Sequence, residues 1–388
     1  MIHRRLALHL SVLVVTAGVL RVGIVPAEVC PPVTRAQVEA SIDEAVAWIA
    51  RGMTSEGRYT YGYARDVDRV NPGYNGPRHA GVTMSLYQAH AITGSEEALA
   101  AADLGLEFAL DGMFTHEGFT AWDVLGEVNT GANGLLLAAL AIRREATGDT
   151  LHDELMREMG EFLLVQQYPD GSVSGYWHRS TGQSDPIYGT YSTGEASWAL
   201  ALLDRAFPGE GWGEAAARTV DYMATERDRR EGRITRLPDH WAAYTISELR
   251  PDLLTDARMR YARQLAGYFG MRLRFEAQRR GDGINLLVRW FPGPPAGVGT
   301  AGEGIGALWL LAGDPRLEDL APNIEARMIC TAGFMIQRQV DAEEASAGAR
   351  PDLERGAWFY RGYTQMDDQQ HVLSSLLAVK TLMEEDPA

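Results

Sequence analysis

The sequence predicts an all-α protein, an (α/α)6 toroid in which six helical hairpins close into a ring with long loops at one mouth. Two observations carry this. Helix, Gly- and aromatic-rich loop, and second helix recur along the chain, and each second helix opens on a cluster of small and polar residues. The loops are long and irregular, unlike the near-constant short periods of an open solenoid. No stretch sustains period-two alternation, so strands are expected only as short pairs within loops. At 388 residues and 46% hydrophobic content, the chain can bury one large core. The expected organisation is a leader over residues 1–27 followed by a single toroid domain over residues 34–388.

Taken in order, the N-terminus reads as an export signal. Arg4 and Arg5 precede an apolar run from Leu6 to Leu20, and Val25-Pro26-Ala27 places small residues where a signal peptidase cuts. The run is shorter than the roughly 20 residues of a membrane span. A periplasmic or secreted protein with no stable membrane span after cleavage is expected; a retained anchor is the alternative. Cys30 follows the cleavage site without the small-residue box of a lipoprotein.

The first helices of the hairpins are read at 40–49, 96–110, 151–165, 214–223, 257–269 and 322–336, where apolar residues recur three and four apart. The second helices open at Arg78-His79-Ala80-Gly81, Ala132-Asn133-Gly134, Gly194-Glu195-Ala196-Ser197, Asp239-His240-Trp241-Ala242, Gly302-Glu303-Gly304-Ile305 and Gln370-His371-Val372. Leu86, Leu140, Leu202 and Leu310 follow seven residues on, which returns to nearly the same helix face. Gly94-Ser95, Gly148-Asp149 and Gly313-Asp314 read as a C-cap glycine followed by an N-cap. Small residues at the second-helix starts (Ala80, Gly81, Gly134, Ala196, Gly304, Gly306) allow close approach of neighbouring helices. This pattern resembles the six-hairpin toroid superfamily of glycan-active hydrolases, lyases and epimerases. The segment Gly160-Glu161-Phe162-Leu163-Leu164-Val165-Gln166-Gln167 with Asp170-Gly171-Ser172 is also similar to the repeat of squalene cyclases and prenyltransferases. The resemblance covers the mature chain at the level of fold and matches no single family.

The shared start motif implies that the second helices converge at one mouth of the ring. His79, Asn133, Glu195, His240, Glu303 and His371 occupy equivalent positions, all polar in helices otherwise rich in Ala and Leu. The densest cluster is Asp367-Asp368-Gln369-Gln370-His371, where a carboxylate three or four residues away can orient the imidazole. Asp367, Asp368, His371, Glu195, Asp239 and His240 are therefore the candidate acid/base residues. Arg78, His79, Asn133, Tyr191, Glu303, Trp122, Trp177, Trp290, Trp358 and Tyr360 are the candidate substrate contacts, Arg78 being suited to an anionic group and the aromatics to sugar rings. For any single carboxylate at a helix start, plain capping is the competing reading.

A formal charge of −16 argues against a nucleic-acid partner. The three histidines have no ligand pair at metal-binding spacing, so neither a metal nor a cofactor is expected. The leading functional class is an exported enzyme acting on an oligosaccharide or polysaccharide, including uronate-containing ones, as hydrolase, lyase or epimerase. An isoprenoid cyclase or transferase, and a non-catalytic glycan- or peptide-binding ring, are the alternatives. In a closed ring the first and sixth hairpins are neighbours, so a Cys30–Cys330 disulfide is expected, and it would persist outside the cytoplasm.

Overall fold

The computed structural model describes residues 2–20, 27–232, 238–279 and 292–385. Six hairpins form the ring. Their outer helices are Arg35–Arg51, Glu96–Leu110, Asp153–Gln166, Trp212–Thr225, Asp256–Ala277 and Ala321–Ile336. Their inner helices are Gly76–Thr93, Thr130–Thr147, Ser192–Ala206, His240–Glu248, Pro295–Trp309 and Met366–Glu385. Each inner helix packs on the next, and the sixth packs on the first, which closes the ring.

Local chemistry sets the starts and stops. Thr34 caps outer helix 1 in a reciprocal capping box with Gln37. Asn75, Asn129 and Asp239 accept backbone N–H bonds at the starts of inner helices 1, 2 and 4. Gly94 and Gly148 end inner helices 1 and 2 in the left-handed region, with φ of 72° at each. Gly313 does not behave this way: inner helix 5 ends at Trp309 with Leu310 still right-handed.

The closeness of the inner helices depends on absent side chains. A Cβ on Gly134 would lie 2.9 Å from the Glu195 carbonyl oxygen, and one on Gly306 would lie 2.6 Å from the Ala378 methyl. Gly304 instead faces the ring of Phe269 on outer helix 5.

Two joints fasten the ends of the ring. In the first, strand Gly62–Ala64 pairs antiparallel with Tyr363–Gln365, Gly62 opposite Gln365. The second is the disulfide between Cys30 and Cys330, with Cα atoms 4.6 Å apart. The segment before outer helix 1 crosses outer helices 5 and 6, where Val29 N–H donates to the Ala277 carbonyl and Glu28 pairs with Arg274 and Arg327.

Two helices differ from the sequence reading by about two turns. Inner helix 5 begins at Pro295, with Pro at its first position, about two turns before the expected start at Gly302. Glu303 therefore sits deep in the ring. Outer helix 5 runs on to Ala277, two turns past Phe269. Among the described residues no helix is long and apolar enough to cross a membrane. The helix Ile2–Val19 leaves Leu6, Leu10, Val12, Leu13, Val14, Val15 and Val19 exposed.

Candidate active site

The starts of the inner helices surround a cavity of about 390 Å³, within the range of small-ligand sites. Arg78, Tyr191, Glu195, His240, Asp367 and His371 line it, joined by Arg272 from outer helix 5.

Its centre is a buried triad. The Glu303 carboxylate, fully buried beneath the cavity, lies with Oε2 2.7 Å from His371 Nδ1 and 3.5 Å from His240 Nε2. Gln370 Nε2 lies 3.1 Å from His371 Nδ1. The two imidazoles stand edge to face with centroids 5.3 Å apart, and Trp241 packs against both.

Their protonation is pushed in opposite directions. Burial alone would lower the His371 imidazole, but the Glu303 carboxylate, helped by Asp367 and Asp368, outweighs it, so this ring titrates above its ordinary 6.5. Burial, helped by the adjacent His371, holds His240 well below 6.5 and therefore neutral. His240 Nε2 and Asp367 Oδ1 are buried without a hydrogen-bond partner, which marks them as places for a ligand atom.

His240, Glu303 and His371 place one ligand atom each within 4.8 Å of one another, a set that could hold a metal ion. Donors sharing one zinc at about 2.0–2.2 Å stand roughly 3.2–3.5 Å apart; His240 and Glu303 meet that spacing at 3.5 Å, whereas His371 and Glu303 stand at hydrogen-bond distance, 2.7 Å.

Arg78 reaches the cavity from inner helix 1. Its Nη1 donates to the Tyr61 hydroxyl at 2.5 Å and its Nε lies 3.3 Å from Asp367 Oδ2. Glu195 is buried against Gly131; burial, then the nearby Asp239 carboxylate, push its pKa up to about 8.

The other sequence candidates are placed elsewhere. His79 is sealed in the wall among Tyr59, Phe108 and Trp122, bonded through Nδ1 to the Tyr74 hydroxyl and through Nε2 to the Gly105 carbonyl. Its pKa is lowered by burial to about 4. Asn133 bonds the Trp122 backbone at both N–H and C=O, holding the loop that precedes its helix. Asp239 caps inner helix 4 and pairs with Arg227 at 2.6 Å, both fully buried. Asp368 accepts the Ala296 and Gln365 N–H groups, tying inner helix 6 to the start of inner helix 5.

The aromatics expected at the mouth are largely core. Trp122, Trp177 and Trp358 are buried, Trp358 donating to the Met335 carbonyl. Tyr360 is half-buried in the last loop and does not line the cavity. Only Tyr191 of that group faces it; Trp290 lies outside the described residues. His79, Asn133, Trp122, Trp177, Trp358 and Tyr360 are thus corrected from substrate contacts to structural residues, and Asp239 and Asp368 from acid/base groups to structural carboxylates. Their polarity serves caps and loops.

Arg272 escaped the sequence reading because outer helix 5 was expected to stop short of it. Tyr61, in the first loop, carried no motif.

Among solved structures the chain is similar to a cellobiose 2-epimerase from Spirochaeta thermophila, at 14% identity and TM-score 0.61, covering 90% of this chain and 97% of that one. It is similar to a D-mannose isomerase, at 12% identity and TM-score 0.60, covering 90% and 98%. An unsaturated glucuronyl hydrolase specific for heparin matches at 11% identity and TM-score 0.61, covering 90% and 99%. These are likenesses of fold, and the fold they share is the (α/α)6 toroid. No family model matches the chain, and no curated protein matches it in sequence.

Proposed function

We propose that the protein is an exported sugar epimerase or isomerase that moves a carbon-bound proton next to a carbonyl group. The observation that carries this reading is the pair of facing imidazoles joined by one buried carboxylate, with His240 pushed below the ordinary histidine pKa and His371 above it. Groups whose surroundings push their protonation apart are suited to serve as base and acid of one reaction. His240 Nε2 takes the proton from the carbon beside the carbonyl, and the electron pair moves onto the carbonyl oxygen as an enediolate. His371 supplies a proton to that oxygen or, in the return step, to carbon. Glu303 stabilises the imidazolium and fixes its ring, and Arg78 holds a substrate oxygen. The neighbouring folds include an epimerase and an isomerase, which supports the reading by analogy of fold alone.

Export rests on the basic-then-apolar leader, on the unpacked apolar face of its helix and on the disulfide, which suits an oxidising compartment.

Hydrolysis is the second reading, favoured by Glu195, whose carboxyl stays protonated to about 8 and could act as general acid opposite Asp367. Incubating the mature protein with reducing mono- and disaccharides separates the two. Epimers or ketoses appearing at constant total reducing sugar support proton transfer. New reducing ends without isomers support hydrolysis instead.

A further inference from the structure

Charge around the cavity is matched pair by pair, with one exception. Asp367 faces Arg78, and Glu303 faces His371. Glu195 is uncharged at neutral pH. Arg272 lines the same cavity from the last turns of outer helix 5, and among the described residues no carboxylate lies within ion-pair distance of it. The carboxylate one turn further along its helix, Glu276, is already engaged by Arg279 at 2.9 Å, by Arg338 at 3.2 Å and by the Gly293 N–H at 2.6 Å. Among the described residues Arg272 is therefore the cavity-lining guanidinium without a carboxylate at ion-pair distance, in a chain whose formal charge is −16.

The guanidinium, on an exposed side chain at the cavity edge, lies across Gly297, the third residue of inner helix 5, where a Cβ would fall 2.3 Å from its terminal nitrogen. The same helix start carries partial positive charge at this edge of the cavity, although its Ala296 N–H is already held by Asp368. An unpaired planar fork beside a helix N-terminus matches a carboxylate, which it can hold through two parallel N–H bonds.

We infer that Arg272 is the specificity-determining residue of the cavity and that the substrate is a sugar acid whose carboxylate sits on Arg272 while its reacting carbon faces His240 and His371. The inference rests on the proton-transfer reading for what happens at those histidines, but the binding preference can be measured without turnover.

The test is calorimetric titration of the mature protein with glucuronate, galacturonate and mannuronate against glucose, galactose and mannose. The sugar acids bind about ten- to a hundredfold more tightly, as expected for charge-assisted hydrogen bonds. Arg272→Gln abolishes that preference by weakening the acids far more than the neutral sugars, and Arg272→Lys retains part of it. Gly297→Ala, which keeps the charge but displaces it, also weakens the preference. Equal affinity for the two series, no binding of the acids at millimolar concentration, or a preference that survives Arg272→Gln overturns the inference. Acid binding that persists through Arg272 with no proton exchange would instead count against the proton-transfer reading alone.

Discussion

At the scale of residues, the account turns on two histidines and the carboxylate between them. The reaction needs His240 neutral and His371 protonated, so kcat/KM should follow a bell. Its acid limb reports His240, held well below 6.5 by burial, and its alkaline limb reports His371, raised above 6.5 by Glu303. Glu303→Gln removes the largest raising charge and leaves burial opposed only by Asp367 and Asp368, so a pH–rate profile of that variant should show the alkaline limb displaced to lower pH. Glu195 gives a second prediction, about stability. Its folded pKa of about 8 lies above the ordinary 4.5, so the folded state keeps a proton that the unfolded chain releases. Stability contributed by this group is therefore full below about pH 4.5 and is lost as pH rises toward 8. Thermal melts of Glu195→Gln should depend less on pH across that window than those of the parent protein. Which polar residues would meet in the cavity was only half legible. His240, His371, Glu195, Asp367, Arg78 and Tyr191 line it, whereas His79 and Asn133 share the same helix-start pattern yet turn outward, His79 onto outer helix 2 and Asn133 onto the preceding loop. A start motif fixes position along the helix and says nothing of which face a side chain takes.

At the scale of elements, capping and helix length explain most of what the sequence hid. Asp239 reads equally as acid/base group or as cap; its buried pairing with Arg227 and its bond to Trp241 N–H settle its place as structural. Asp239→Asn breaks the buried pair with Arg227, a change that costs about 3–5 kcal/mol. A pronounced fall in melting temperature is expected, measurable by calorimetry. Asp367→Asn, by contrast, should lower activity with the melting temperature held within a few degrees, because that carboxylate faces the cavity. Helix ends were the least legible feature. Pro294-Pro295 was the available signal that inner helix 5 starts early, and reading it would have moved Glu303 from the rim to the buried position it holds beneath the histidines. The extra turns of outer helix 5 carried no comparable punctuation, so Arg272 could not be brought to the mouth from sequence alone.

At the scale of the whole molecule, the ring was legible because six hairpins repeat the same small-polar start, and two of the returns, at Gly94 and Gly148, are punctuated by a left-handed glycine. Closure was legible through the cysteines, since Cys30 and Cys330 can meet only when the last hairpin returns beside the chain's beginning. The bridge closes a loop of 300 residues, and the chain-entropy model gives such a loop up to about 5 kcal/mol. Cys330→Ser should lower the melting temperature by on the order of 5 °C or more, and reductant should do the same to the parent protein and nothing to the variant. Loop chemistry was the illegible part: most of the tryptophans in the loops fill the core between helices, and the cavity is left polar. That polar floor is what the central claim depends on. It is tested most directly by proton NMR of the mature protein incubated with reducing sugars and uronates in deuterium oxide. The account predicts that deuterium enters the substrate at the carbon beside the carbonyl, and that His240→Asn and His371→Gln each abolish this exchange without loss of fold. Turnover of a sugar with no deuterium at that carbon, or exchange undiminished in both variants, would contradict it.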